Sequence, residues 1–383
     1  MVDLGMVYLD YNATTPLCPE AKEAMLPFLE GRFGNPSSVH AEGRIARAAV
    51  DDARDRLAAV LGVKPHEIIF TGGGTESCNL GVIGIARAHA PRGKHIITSA
   101  IEHHAVLHAF EYLKHFEAFE VSILPVNPAG IVEPESLKNA IRPDTTLVSV
   151  MHANNEAGAI QPVREFASIC ERHGIVFHTD AVQSFGKIPL QPGEDGISAA
   201  SIAAHKFYGP KGVGALFVSE GVAISRTSHG GAHENTRRPG TENVAGIAGM
   251  AAAAESAVSH DCSKLRPLRE MLWDGIAGAC PEAVRNGDPG LCLANTLNVS
   301  FPGADGESLL MGFDLEGICV SSGSACMVGS VQPSHVLIAM RVPSPIALSS
   351  VRFSLGRETA ASDIRLTLRA LERVLELQPL AAR

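Results

Sequence analysis

A lysine that follows a short apolar run and precedes a rigid turn is the strongest chemical signal in this chain. Residues 201–204 are small or apolar, Lys206 comes two positions later, and Gly209, Pro210 and Gly212 form the turn. A lysine held there is poorly placed to be a solvated surface charge. Burial lowers the pKa of an amine, and a neutral amine can form a Schiff base with an aldehyde. The alternative is a plain surface turn, since Gly-Pro-Lys-Gly is also common in that role.

A carboxylate follows another predicted strand upstream of this lysine. Residues 174–177 form a short apolar run that predicts a buried strand, and Asp180 falls at its carboxyl end. Ligands bind at that end of the strands in open parallel sheets. Asp180 can pair with a protonated heterocyclic nitrogen, and Gln183 can bond a neighbouring ring oxygen. The alternative is a helix N-cap at Asp180. A lysine for an aldehyde and a carboxylate for a pyridinium nitrogen together favour pyridoxal phosphate (PLP).

A glycine-rich turn provides a candidate phosphate site. Residues 67–70 predict a strand, residues 75–90 predict a helix, and three glycines (72–74) lie between them. Backbone N–H groups at such a turn can approach an anion, the helix N-terminus is positive, and Thr75 adds a hydroxyl. The turn matches neither G-x-x-x-x-G-K-[ST] nor G-x-G-x-x-G with a following acid, so nucleotide binding is disfavoured.

Beyond these three sites, ordered motifs over nearly the whole chain resemble the fold-type-I PLP enzymes and, within them, the group I cysteine desulfurases of the NifS/IscS type. The matching segments are YLDYNATTP (8–16), FGNPSS (33–38), EH (102–103), NNE (154–156), RPGTEN (238–243), SSGSAC (321–326) and RFSLGR (352–357). The resemblance implies an α/β fold whose large PLP-binding domain has a mostly parallel, seven-stranded-type sheet. This domain is expected over residues 16–258. A smaller α+β domain, expected from residues 1–15 and 259–383, carries a catalytic cysteine loop.

The resemblance also implies roles for residues around the cofactor and substrate. Lys206 abstracts the substrate α-proton, and His103 stacks on the cofactor ring and relays protons, whereas the neighbouring His104 is expected to be a polar loop residue. Asn155 contacts the ring oxygen and the substrate, while Asn154 is interpreted as local turn structure. Arg352 is expected to grip the substrate α-carboxylate, which a guanidinium can do with two parallel hydrogen bonds.

Four residues are implied as phosphate donors, and one of them implies a second subunit. These are Gly74, Thr75, His205 and Thr241, of which Thr241 reaches across from the other protomer of a homodimer in the family. One position departs from the family pattern, because Ala203 replaces a serine whose hydroxyl helps to bind the phosphate. Ser201 lies two residues earlier on the same strand face and is expected to be too distant to compensate.

Cys326 is the candidate that decides the reaction. It lies in a loop of small residues (320–330) before a helix predicted near Pro333. Most free cysteines are small buried hydrophobes, and only thiolates are strong nucleophiles. The resemblance implies that Cys326 attacks the sulfur of L-cysteine, releasing L-alanine and leaving a persulfide. A sulfur-acceptor or iron–sulfur scaffold protein then receives that sulfur for cluster assembly or other thio-cofactor synthesis.

Composition limits the other classes of function. The length of 383 residues allows two or three domains, and a net charge of -9 without a basic patch argues against direct nucleic-acid binding. No apolar run approaches the roughly 20 residues that span a bilayer, and the first residues do not resemble a signal peptide. Eight scattered cysteines without a C-x-x-C pair predict neither a metal site nor a disulfide framework, so we expect a cytoplasmic protein.

Alternating patterns place these residues on a scaffold. Residues 22–257 alternate between helical and strand patterns, which predicts a mostly parallel sheet flanked by helices. The predicted strands include 95–98, 121–124, 147–150 and 296–300, and the predicted helices include 44–61, 105–115, 244–258, 265–279 and 363–377. The glycines of 244–258 indicate either close helix packing or a link between domains.

Two other functions remain open at this stage. The first is a related PLP lyase or aminotransferase, such as a selenocysteine lyase, that would use Lys206 and Asp180 without Cys326. The second is a non-catalytic partner in a sulfur-transfer complex. The residues do not distinguish general iron–sulfur assembly, nitrogenase clusters or tRNA thiolation as the destination of the sulfur.

Overall fold

The computed structural model describes residues 6–322 and 332–376, and parallel strands dominate its largest sheet. The strands of the described part are β1 (Val7–Tyr8), β2 (Ile68–Thr71), β3 (His95–Ser99), β4 (Glu120–Leu124), β5 (Thr145–Ser149), β6 (Val176–Asp180), β7 (Ala199–Ala203), β8 (Gly214–Val218), β9 (Val284–Asn286), β10 (Thr296–Ser300), β11 (Ile318–Cys319), β12 (Ser321–Ser322) and β13 (Ser350–Ser354).

The large sheet has the order β2-β8-β7-β6-β5-β3-β4. Strands β3 to β7 pair in parallel, whereas β8 runs antiparallel to both β7 and β2. Every residue of β3, β5, β6 and β7 is buried, as expected for strands that are covered by helices on both faces. The predicted seven-stranded, mostly parallel sheet is therefore confirmed.

The helices agree with the predicted ranges to within about three residues where a prediction was made. They are α1 (Pro19–Glu30), α2 (Ala41–Leu61), α3 (Gly74–Asn79), α4 (Ile85–His89), α5 (His104–Phe116), α6 (Pro134–Ala140), α7 (Val163–Arg172), α8 (Val244–Ser259), α9 (Arg266–Ala279), α10 (Gly306–Leu315), α11 (His335–Ala339), α12 (Ser344–Leu348) and α13 (Ala361–Glu376). The helix predicted over 75–90 is divided, because a π-helical turn (Leu80–Gly84) separates α3 from α4.

Apolar side chains form separate cores on the faces of the large sheet. One core packs α2, α7 and α8 against the sheet through Val50, Phe166 and Met250, and another packs α5 through Phe110. A Cβ added to Gly249 of α8 would lie 2.6 Å from Met25 of α1. The glycines of α8 therefore allow close helix packing, which was one of the two predicted explanations.

The remaining strands form a second, smaller unit that includes the N-terminal segment. Its antiparallel sheet has the order β12-β13-β10-β9, while β1 pairs in parallel with β11. Val7 and Leu9 join a core with Leu297 and Phe353. This packing supports the predicted domain division, whose boundaries at residues 15 and 258 stay predictions. No helix in residues 6–322 and 332–376 combines the length and apolarity needed to cross a lipid bilayer.

Candidate active site

Strand β7 delivers Lys206 into a cavity through a short 3₁₀ turn, Ala204–Lys206. The next residues turn sharply, with positive φ angles at Tyr208 (68°) and Gly212 (79°). Lys206 Nζ donates hydrogen bonds to the carbonyl oxygens of Asn12 (2.7 Å) and Ala13 (2.8 Å). The lysine is therefore held against the N-terminal segment, and it is not the surface residue of the alternative interpretation.

The cavity around Lys206 has a volume of about 310 Å³ and brings most of the predicted site residues together. It contains all nine that belong to one subunit and to the described residues, namely Gly74, Thr75, His103, Asn155, Asp180, Gln183, His205, Lys206 and Arg352. These residues come from separated parts of the sequence, and both the large sheet and β13 contribute to them. The geometry supports a shared site, while the individual roles stay predictions.

Asp180 is the last residue of β6 and is buried. Its Oδ1 accepts a hydrogen bond from the backbone N–H of Val182 at 2.9 Å. No helix begins here, because residues 182–187 form turns. The helix N-cap alternative is therefore wrong, and the carboxylate lies at the carboxyl edge of the sheet, where a ligand is expected.

The glycine turn forms part of an open recess next to the cavity. Gly73 has a φ of +145°, a conformation that favours glycine, and a Cβ added there would contact nothing within 4 Å. Thr14, His205 and Lys211 line the same recess. Burial lowers the pKa of His205 to about 4, so at neutral pH this imidazole acts as a neutral hydrogen-bonding group and Lys211 supplies the positive charge.

Ala203 is fully buried and lines the cavity beside the glycine turn. A Cβ added to Gly74 would lie 3.2 Å from the Ala203 methyl group. Ser201 does not replace the missing hydroxyl, because its Oγ bonds His178 Nε2 at 2.9 Å and the residue is not part of the cavity wall. Ser201 is therefore not available to replace the hydroxyl that Ala203 lacks, and the effect on the phosphate stays a prediction.

Ala203→Ser is expected to tighten PLP binding by roughly ten- to a hundredfold, since a hydrogen bond to a charged group is worth about 1.5–3 kcal/mol. The measurement is a titration of the cofactor-free protein with PLP. Ala199→Ser is the matched control, because Ala199 is equally buried in β7 but does not line the cavity. Unchanged or weaker binding by Ala203→Ser would show that another donor or a water already serves the phosphate.

His103 is positioned by the start of α5, which it caps. Its Nδ1 accepts a hydrogen bond from the backbone N–H of Ala105 at 3.1 Å. Burial lowers the pKa of His103, so the neutral form is favoured, and a neutral ring with an accepting Nδ1 carries its proton on Nε2. This tautomer can exchange a proton with a group in the cavity.

The expectation that His104 is a polar loop residue is wrong. His104 is the first residue of α5 and lines the cavity. Its ring lies 5.0 Å from that of His108 and 4.9 Å from that of His335, measured between centroids. The physical reason is that His103 takes the N-cap position of α5, so that His104 is already inside the helix.

Arg352 in β13 is buried and already partly bonded. It donates through Nη1 to the carbonyl oxygen of Asn155 (3.0 Å), and its Nη2 lies 2.7 Å from Asp10 Oδ1. Its buried Nε has no hydrogen-bond partner among the described residues. A buried N–H group without an acceptor is costly, so a carboxylate in the cavity would satisfy it. Asn154 is different, since its Oδ1 accepts from the backbone of Glu156 and Ala157, as a residue of turn structure should.

Two predicted residues lie elsewhere. Thr241 is exposed and does not line the cavity of its own chain. A residue that serves the site of a second subunit is expected to be exposed and to lie outside the cavity of its own chain. The role of Thr241 stays a prediction. Cys326 lies outside the described residues.

Several cavity residues escaped the sequence analysis. Asn12 accepts a hydrogen bond from Lys206, and Cys78 lies one helical turn after Thr75. The wall of the cavity also includes Met151, Glu156 and His335. The position of Asn12 within the motif 8–16 was the signal that could have identified it. Cys78 is inert, because burial first and then Asp180 raise the pKa of its thiol well above the usual value.

A buried acid beneath the site makes stability depend on pH. Burial raises the pKa of Glu102 to about 8, although Ser99 Oγ and the backbone N–H of Met151 donate to its Oε1. In the part of the chain that the structure describes, its Oε2 has no hydrogen-bond partner. Between the usual carboxyl pKa and pH 8, the folded protein keeps this proton and the unfolded chain releases it. Stability therefore falls as pH rises through that window.

Glu102→Gln is expected to remove this loss, which is roughly 4 kcal/mol between pH 5 and pH 9, because glutamine imitates the protonated acid and its Oε1 accepts the same two bonds. The measurement is the free energy of unfolding in urea at both pH values. Glu171→Gln, at an exposed position, is the control and should keep the pH dependence of the parent protein. An equal loss in Glu102→Gln and the parent would contradict the assignment.

The residues present fit PLP. Lys206 and the buried Asp180 line one cavity, and the recess formed by the glycine turn and Lys211 adjoins it. Arg352 also lines the cavity, and its Nε has no acceptor among the described residues. Together with a mostly parallel seven-stranded sheet, this set defines the class of fold-type-I PLP enzymes.

Comparison with known proteins gives the family. The chain matches the aminotransferase class-V family over residues 7–366. Cysteine desulfurase IscS of Dictyoglomus turgidum is 49% identical over 373 residues, which cover 97% of this chain and 94% of that protein. The solved structure of a NifS-like protein has a TM-score of 0.91 and 38% identity, covering 97% of this chain and 99% of its own. The solved structure of SspA in complex with cysteine has a TM-score of 0.80 and 34% identity, and the match covers 91% of this chain and 98% of that one.

The chain therefore belongs to the class-V aminotransferase family and, within it, to the IscS/NifS group of cysteine desulfurases. This confirms the resemblance that the sequence motifs indicated.

Proposed function

We propose that this protein is a PLP-dependent cysteine desulfurase, which converts L-cysteine to L-alanine and keeps the sulfur as a persulfide on Cys326. The observation that carries the proposal is the cavity in which Lys206, Asp180 and Arg352 meet. An amine, a carboxylate and a guanidinium in one cavity serve an amino acid substrate and a pyridine cofactor together.

The cavity residues hold the cofactor at its ring and its phosphate. We assign Asp180 to the ring nitrogen, Gln183 to the ring oxygen and His103 to the ring face, while Gly74 and Thr75 receive the phosphate. When bound, PLP supplies an electron-withdrawing ring that stabilises negative charge at the substrate α-carbon. The buried position of Asp180 excludes water from its carboxylate, which strengthens its attraction for a cation.

Lys206 and Arg352 act on the substrate. Arg352 binds the α-carboxylate through the guanidinium whose Nε lacks a partner, and Asn155 lies beside it because its carbonyl accepts from the same arginine. A substrate anchored in this way presents its α-carbon to Lys206. The amine of Lys206 removes the α-proton and later returns a proton to carbon.

The sulfur-transfer step balances with a thiol on the protein. A new S–S bond forms between Cys326 Sγ and the substrate sulfur as the C–S bond breaks, and the electron pair of that bond stays on carbon, which then takes a proton. L-Cysteine and one protein thiol thus give L-alanine and one protein persulfide. Cys78 also lines the cavity, but its buried thiol is held in the neutral form and cannot replace Cys326.

A second copy of the chain is proposed to complete the phosphate site through Thr241, beside His205. An ion pair between Arg47 of α2 and Glu242 holds the segment next to Thr241 against α2. Large apolar side chains are exposed in the segment that leads into α2, among them Phe33 (87% exposed) and Val39 (89%). Such side chains are expected to be covered in an assembly, which supports a homodimer.

The proposed fate of the sulfur is transfer to a separate protein. We propose a sulfur-acceptor or iron–sulfur scaffold protein as the recipient, in the cytoplasm, where free cysteines persist. The seven cysteines in the described residues are free thiols, which agrees with a reducing compartment.

The proposed function is tested with purified, PLP-loaded protein, L-cysteine and a thiol reductant. We expect alanine and sulfide in a one-to-one ratio. Pyruvate in place of alanine, or transamination of L-cysteine, would favour a related lyase or aminotransferase. Absence of turnover in fully loaded protein would favour the non-catalytic alternative.

A further inference from the structure

Lys187 is a largely buried lysine that the proposed reaction does not use. Its Nζ donates to Gln183 Oε1 at 2.9 Å and to Asn12 Oδ1 at 3.1 Å. No carboxylate of the described residues forms an ion pair with it. Burial lowers its pKa to about 7, and Lys206 and Arg352 add to this as like charges. A buried amine without an acid partner needs a reason to be there.

The partners of Lys187 connect it directly to the proposed cofactor site. Gln183 Nε2 donates to the carbonyl oxygen of Asn12 at 2.8 Å, and the same oxygen accepts from Lys206 Nζ at 2.7 Å. Asn12 is itself fixed by Asn295, whose Nδ2 donates to Asn12 Oδ1 at 3.1 Å. Lys187, Gln183, Asn12 and Lys206 therefore form one continuous hydrogen-bond chain.

Lys187 determines which way the Gln183 amide points. In its protonated form lysine only donates hydrogen bonds, so the oxygen of Gln183 must face it, and the amide nitrogen must face Asn12 and the cavity. A flipped amide would place N–H groups against the amine of Lys187 and a carbonyl oxygen against the carbonyl of Asn12. The NH₂ group has two protons, and the bond to Asn12 uses one of them.

We propose that Lys187 is a positioning residue that orients the Gln183 amide, so that an N–H group of Gln183 faces the ring oxygen of PLP. This rests on the proposed function, since it assigns Gln183 to that oxygen. The link explains why a lysine is retained at a buried position where a hydrophobic side chain would be easier to accommodate.

The test measures the dissociation constant of PLP and the visible absorbance maximum of the bound cofactor in a double-mutant cycle. Lys187→Met is expected to weaken PLP binding about tenfold and to shift the maximum. Gln183→Leu should weaken binding at least as much, and the double variant should equal Gln183→Leu alone, because Lys187 acts through Gln183. Lys187→Arg should restore most of the affinity, since an adjoining cavity of about 380 Å³ leaves room for it.

Lys264→Met is the matched control and should bind PLP normally, because Lys264 lines the same adjoining cavity without bonding Gln183. Parent-like affinity and spectrum in Lys187→Met would overturn the proposal, as would losses that multiply in the double variant. If Lys187→Met does not fold, Lys187→Gln carries the same cycle. Cofactor binding is measured without turnover. A parent protein that binds PLP but forms no alanine would therefore contradict the desulfurase function and leave the proposal for Lys187 unaffected.

Discussion

Lys206→Ala is expected to stop alanine formation from L-cysteine while leaving the fold intact. The reason is that Lys206, whose Nζ donates to the carbonyl oxygens of Asn12 and Ala13, is the amine that we propose transfers the proton. A positioned general acid–base group contributes about 10²–10⁴-fold, and the loss of cofactor attachment adds to that. The measurement is the rate of alanine formation at equal PLP loading. Lys114→Ala, at an exposed position of α5, is the control and should keep the parent rate.

A chemical experiment checks the same assignment. Borohydride reduction of the PLP-loaded protein, followed by peptide mapping, should place the pyridoxyl group on Lys206. Lys187 is the informative competitor, because it is also buried and bonds the same asparagine. A label on Lys187, or on any lysine other than Lys206, would contradict the account.

Cys326→Ser is expected to lower alanine and sulfide formation to background while PLP binding persists. Cofactor binding is assigned to the cavity residues, and L-cysteine should still change the absorbance spectrum because Arg352 and Lys206 remain. The serine hydroxyl cannot accept sulfur at neutral pH, so the C–S bond stays intact. The measurement is alanine release at equal PLP loading.

The other cysteines provide the controls for that variant. Cys18 and Cys170 are buried, and burial raises the pKa of both thiols; Cys280 is half-buried and lies outside the cavity. Cys18→Ser, Cys170→Ser and Cys280→Ser should therefore keep substantial activity. Near-normal turnover in Cys326→Ser would instead support a lyase or aminotransferase that needs no thiol on the protein.

Much of the site could be predicted because its residues follow strand ends. Asp180 ends β6, Lys206 follows β7, and the glycine turn follows β2. Short, apolar, β-branched runs identify such strands, and the carboxyl ends of parallel strands lie at one edge of a sheet. The position of the reactive residues therefore follows from local patterns together with one topological rule.

The supporting contacts could not be predicted, because they join distant parts of the chain. Asn12 bonds Gln183 and Lys206, more than 170 positions away, and Asn295, 283 positions away. Its place in the motif 8–16 could have marked it as a site residue, but nothing local predicts these contacts. Lys187 follows Gly186 in a region of turns, where a lysine is normally solvent-exposed, and only the tertiary structure makes it half-buried. His335 reaches the cavity through α11, and no pattern near it predicts that contact.

The most direct test of the desulfurase account is a single turnover without reductant. PLP-loaded protein is mixed with an equal amount of L-cysteine, alanine is quantified, and the protein is digested for mass spectrometry. We predict one alanine for each additional sulfur atom found on the protein, and we predict that this sulfur lies on the peptide that contains Cys326. Alanine with free sulfide and an unmodified Cys326, or the additional sulfur on Cys78, would contradict the account.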